Sequence, residues 1–115
     1  MGYFQSIASP ANQKFVKSFK AKYGERRVLG DTLACGYTSV YLWKLAAEKA
    51  GDFSVPKVVA ASSDLTMDAP EGTIKFHKGN HHLWKHARIG EFQKDGQVKI
   101  LYESPLIEPN PFPKV

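Results

Sequence analysis

The chain has 115 residues, 43% of them apolar and 23% charged, a globular composition that argues against a disordered polypeptide and fits one small domain. Lys and Arg exceed Asp and Glu by 16 to 11, a net charge of +5, yet no basic run is longer than Arg26-Arg27; the charge therefore reads as solvated surface and not as a nucleic-acid stripe. No stretch approaches the ~18 apolar residues of a membrane span, and a single cysteine, Cys35, excludes an internal disulfide.

In chain order, "GYFQSI" (2–7) is rich in aromatic and β-branched residues and is expected to be a strand. The opening "MGYFQSIASP" has no basic stretch leading into an apolar one, so no secretory signal is expected. A strand this early hints at a piece of a larger protein. Ser9-Pro10 predicts a helix start, and Phe15, Phe19 and Tyr23 at four-residue spacing, with Val16, give that helix one apolar face up to Gly24. Its lysines are expected to face solvent.

A second helix is predicted from Asp31-Thr32 to Ala50, stopped by Gly51. Leu33, Tyr37, Val40, Tyr41, Leu45 and Ala46 form one face, and Leu42 and Trp43 extend the apolar surface around the cylinder. Such a helix needs covering on several sides. "FSVPKVVAA" reads as a third, short helix capped by Ser54, with Val55, Val58 and Val59 turned inward. "SSDLTMDAPEG" reads as a loop. The period then becomes alternating, with Ile74 and Phe76 on one side and Thr73, Lys75 and His77 on the other. "ARIGEFQ" and "QVKILYE" form two further strands around the Asp95-Gly96 turn. The tail, 104–115, carries four prolines and is expected to be extended. The expected class is α/β, with about three helices followed by an antiparallel region containing a β-hairpin, in a single region spanning 1–115.

All four histidines, His77, His81, His82 and His86, fall within "FHKGNHHLWKH". Two pairs have the i, i+4 spacing of helical zinc ligands. Gly79-Asn80 is a turn signal that interrupts a helix, and extended residues after it place His82 and His86 on the Trp84 side with His81 opposite. Local hydrogen bonding is the favoured reading, with a four-histidine metal site as the weaker alternative. Ser62, Ser63 and Asp64 lack a nucleophile-elbow frame, and no phosphate-cradling glycine loop exists. No catalytic residue and no cofactor is expected.

The stretches "NQKFVKSFKAKYGERRV", "GYTSVYLWKLAAEKAG", "DAPEGTIKF" and "NHHLWKHARIGEFQKDGQVKILYES" together resemble, in order, the carboxyl end of urea and short-chain amide binding proteins. These are extracytoplasmic solute receptors of ABC importers, in the branched-chain amino-acid-binding class. The most specific elements are Asn80-His81-His82-Leu83-Trp84, Arg88-Ile89-Gly90 and Asp68-Ala69-Pro70-Glu71-Gly72. The resemblance implies part of a type I periplasmic-binding-protein fold, with two α/β lobes around a solute cleft. It makes 2–7 similar to a strand crossing between lobes, and gives helix 31–50 an amino end facing the cleft, where free N–H groups meet a solute carbonyl or carboxylate.

Candidate ligand-binding residues there are Leu33, Ala34 and Tyr37. The family's usual pattern resembles Met-Glu-Ala-Ala-Tyr. Here Tyr37 matches, and Ala34 stands in place of the glutamate, which removes an acceptor for amide N–H groups. Full receptors of this kind are several times longer, so the expected partners, a small polar solute and an ABC permease, belong to a whole receptor in an extracytoplasmic compartment. The chain alone, without a signal, is expected to stay in the cytoplasm and to bind urea weakly or not at all. A second expectation of a different class is a stand-alone homo-oligomer that buries helix 31–50 in another copy.

Overall fold

The computed structural model describes residues 1–114. Three helices come first: α1 (Pro10–Tyr23), α2 (Asp31–Ala50) and α3 (Val55–Ser62). Five strands follow: β1 (Thr66–Ala69), β2 (Gly72–Phe76), β3 (Leu83–Trp84), β4 (Arg88–Phe92) and β5 (Val98–Glu103). β1, β2 and β3 form an antiparallel sheet in that order, and β4 and β5 form a separate hairpin. The fold class expected from sequence is the one observed.

Helix α1 starts as its sequence dictates. Asn12 N–H donates to Ser9 Oγ at 3.1 Å, and Pro10 occupies the first turn, where its missing N–H costs nothing. Helix α2 runs the predicted 31–50 and ends on Gly51 in the left-handed conformation. Gly30, ahead of it, offers no side-chain cap.

Three expectations are corrected. Residues 2–7 are not a strand, because their backbone groups are taken elsewhere. Tyr3 N–H donates to Asp31 Oδ1 (2.8 Å), Ile7 N–H turns back to Phe4 O (3.1 Å), and the carbonyls of Gln5 and Ile7 accept from Asn12 Nδ2. The expected loop at 62–72 instead contains β1, which pairs Thr66 with Lys75 through Ala69 with Gly72 around a Pro70-Glu71 turn. Of the three α3 valines only Val58 is buried, while Val55 and Val59 face out, and Ser54 makes no side-chain cap.

The interior is divided. Tyr3, Ile7, Phe15, Leu29 and Ala34 form one buried cluster, Leu42, Ala69 and Ile74 a second, and Ala46, Ala47 and Val58 a third. A complete domain usually has one contiguous core. The described chain is a slab of 47 × 41 × 19 Å with a radius of gyration of 15.6 Å, wider than the ~13 Å of a compact domain of about 100 residues. Along α2, Leu33, Val40, Tyr41 and Trp43 are exposed, as are Ile89, Phe92, Leu101 and Tyr102 on the β4–β5 hairpin. No helix among the described residues is long and apolar enough to cross a membrane.

Candidate functional site

The amino end of α2 is the best-built polar region of the molecule. Asp31 opens the helix and is anchored by Tyr3 N–H. Beside it, Glu71 from the β1–β2 turn is buried to 3% exposure, with Oε2 2.7 Å from Lys85 Nζ. Neither Glu71 oxygen has a hydrogen-bond partner among the described residues, which leaves the contact with Lys85 ionic. Lys85 Nζ also lies 3.8 Å from Cys35 Sγ, one turn into α2. Burial pulls the Lys85 ammonium down, but the Glu71 carboxylate, followed by Cys35 and Asp31, more than offsets this and leaves its pKa raised. A Cβ at Gly2 would lie 3.2 Å from Glu71 Oε2 and 3.4 Å from both Asp31 Oδ1 and Lys85 Cε. Gly2 thus lets the amino-terminal segment approach these charged groups closely.

The three residues expected at a cleft sit on this helix end but differ in exposure. Leu33 is half-exposed, and Ala34 is fully buried against the Tyr3 cluster. Tyr37 stacks between Phe15 (ring centroids 4.3 Å apart) and Tyr41 (4.6 Å). Burial, then the hydrogen bond and charge of Tyr41, push its phenol up to about 12. The Glu71–Lys85 pair leaves no signal in the sequence, since no periodicity links a turn residue to one 14 positions later.

The histidines do not converge. His77 Nδ1 accepts from Gly79 N–H (3.1 Å) and Asn80 N–H (3.3 Å), while Nε2 faces Glu108 at 3.2 Å. His81 sits in the left-handed region (φ 55°), which ends the expected extended run, and its Nδ1 is 3.4 Å from Ser62 Oγ. His86 Nδ1 donates to Ser104 O at 2.8 Å. His82 is exposed, and its N–H donates to Asn80 Oδ1. No group of three His, Cys, Asp or Glu placed to hold a metal exists among the described residues.

The turn also ties down the tail, where Lys85 and Ile107 exchange backbone hydrogen bonds and Asn80 Nδ2 donates to Pro109 O. Between α2, α3 and the turn lies a mostly apolar open groove of about 690 Å³, bordered by Trp43, Val59, Ser62 and His81.

The periplasmic binding protein domain matches residues 1–115, the whole chain. The chain belongs to this family. Three helices followed by antiparallel strands are the corresponding part of its fold. Among solved structures, this periplasmic binding protein domain superposes on a solute binding protein of an ABC transporter from Rhodopseudomonas palustris, solved with 3,4-dihydroxybenzoic acid. The TM-score is 0.81 at 20% identity, over 93% of this chain and 30% of that one. A leucine binding protein from Thermotoga maritima gives a TM-score of 0.74 at 26% identity, over 90% of this chain and 29% of that one. A curated relative, limonene hydroxylase of Geobacillus stearothermophilus, is 31% identical over 102 residues, which are 89% of this chain and 19% of that protein. The periplasmic binding protein domain described here therefore spans under a third of each of these relatives.

Proposed function

We propose that the 115 residues act as the carboxyl-terminal section of a whole solute receptor, one that captures a small polar solute of the urea or short-amide type and hands it to a membrane permease. The observation carrying this reading is the whole-chain family match, combined with a fold that covers 30% of a solute-binding relative. The divided core and the exposed faces of α2 and the β4–β5 hairpin agree with it, because apolar surface on this scale calls for covering polypeptide.

In this reading the amino end of α2 borders the cleft. Leu33 reaches toward solute, Tyr37 forms the wall behind it, and Ala34 holds the helix end against Tyr3. The urea or amide class rests on the sequence resemblance around Asn80–Trp84. A second reading, an aromatic carboxylate or an amino acid, is favoured by the ligand of the R. palustris protein and by the name of the T. maritima one. Ala34 weakens the amide reading, since no carboxylate is available at that position to accept amide N–H groups.

The test is a receptor in which these 115 residues replace the matching section of the T. maritima leucine binding protein, titrated calorimetrically with urea, acetamide, benzoate and leucine. A folded hybrid that binds urea or acetamide supports the amide reading. Binding of benzoate or leucine, with no heat from either amide, overturns it in favour of the second. A hybrid that melts without cooperativity contradicts the assignment as a receptor section.

A further inference from the structure

The +5 charge is not dispersed, although no basic run in the sequence is long. Residues 10–27 hold six basic side chains, Lys14, Lys17, Lys20, Lys22, Arg26 and Arg27, and one acidic, Glu25. That segment alone carries +5. The remaining ten basic and ten acidic residues cancel. Helix α1 itself contains no acid.

The structure leaves this charge unneutralised. Every ion pair among the described residues involves cations from other segments. Of the six, all but the half-buried Lys20 are exposed. Lys20 Nζ donates to the Glu25 carbonyl at 2.9 Å, and Lys22 lies over the Tyr23 ring. At 3.6 residues per turn the four lysines sweep about 200° of the helix circumference; Lys14, Lys17 and Lys20 lie well away from the buried Phe15, while Lys22 shares its side of the helix two turns further on, at the exposed end of α1.

We infer that the outer face of α1, with the turn at 24–27, adsorbs electrostatically onto a surface of anionic phospholipid headgroups. Three features favour lipid over other polyanions. Four of its six charges are lysines on α1, point charges suited to a diffuse potential, and the two arginines, Arg26 and Arg27, sit side by side in the turn and off the helix. Their wide angular spread suits a laterally fluid surface that rearranges around the helix, where a rigid acidic protein would meet only part of it. Phe15 and Phe19 point inward, and Tyr23, the exposed aromatic at the end of α1, lies under the Lys22 ammonium, so the charged face offers one covered ring and no row of stacking platforms or apolar wedges. The predicted mode is therefore peripheral and reversible by salt.

Cosedimentation of the chain with vesicles of equal parts phosphatidylglycerol and phosphatidylcholine tests this, with pure phosphatidylcholine vesicles and duplex DNA as comparisons. Binding is expected to the mixed vesicles at low salt, with none to phosphatidylcholine, and is lost at high salt. Each of Lys14→Gln, Lys17→Gln and Lys22→Gln should weaken it about fivefold, and the triple variant on the order of a hundredfold. The melting temperature should hold, since these side chains are exposed and pair with no carboxylate. Absence of binding to the mixed vesicles at low salt overturns the inference, as does undiminished binding by the triple variant. Tighter binding to duplex DNA than to the vesicles at equal phosphate concentration assigns the patch to nucleic acid instead.

Discussion

The buried Glu71 carboxylate pairs with the half-buried Lys85 ammonium, Oε2 to Nζ 2.7 Å, and ties the β1–β2 turn to the segment leading into β4 beside the amino end of α2. Removing Lys85 strands the buried Glu71 carboxylate without its counter-charge, at a cost of up to roughly 3–5 kcal/mol. Lys85→Met is therefore expected to be strongly destabilised in urea melts followed by circular dichroism. The double variant Lys85→Met with Glu71→Gln should recover most of the loss. Equal destabilisation in the single and double variants would show that packing, not charge, is what Lys85 supplies.

Tyr3 Oη donates to Asn12 Oδ1 at 2.8 Å, and burial pushes the Tyr3 phenol up to about 12 from its ordinary 10. Between those values the unfolded chain sheds the proton while the folded chain keeps it, so stability falls as pH rises through that window. The fall is at most about 1.4 kcal/mol per pH unit for each such tyrosine. Tyr37 and Lys85, both raised, act in the same direction. Tyr3→Phe should cost about 1–3 kcal/mol at neutral pH, by leaving Asn12 Oδ1 unpaired, and should flatten the alkaline decline. An unchanged alkaline slope would place the sensitivity elsewhere.

Gly90 sits at the β4 bulge, where a Cβ would overlap Val98 Cγ1 and press on the Phe4 ring. Overpacking of this kind costs about 1–3 kcal/mol. Gly90→Ala should lower the melting temperature, and Val98→Ala in the same chain should recover part of it. No recovery would point to the bulge backbone as the reason for glycine.

Gly36 lies inside α2, is exposed, and a Cβ there meets nothing within 4 Å. Mid-helix glycine is about 1 kcal/mol worse than alanine, so nothing within this chain accounts for it. Gly36→Ala should raise the melting temperature of the isolated chain. A lowered melting temperature would reveal an intrachain role for the glycine.

The long elements were legible because local signals agreed: Ser9-Pro10 and Gly24 bound α1, and Gly51 stops α2 where the apolar pattern ends. Asp95-Gly96 likewise marked the β4–β5 turn. Residues 2–7 misled because strand propensity there is real, yet the side chains of Asp31 and Asn12 capture the backbone, a tertiary effect with no local trace. β1 was hidden by Asp64, Asp68 and Pro70, which read as loop chemistry until the pairing with β2 is visible. The histidine cluster is a metal candidate by spacing alone, and its hydrogen-bond partners Ser62, Ser104 and Glu108 come from three distant segments that the spacing does not reveal. Net charge concentrates in 10–27 without a long basic run, because the lysines are spaced two or three residues apart along α1.

Calorimetric titration of the isolated 115-residue chain with urea and acetamide tests most directly the claim that these residues are one section of a receptor and not a binder by themselves. The divided core and open α2 face predict no saturable heat from either solute. A one-site isotherm with micromolar affinity and one solute per chain would contradict the account.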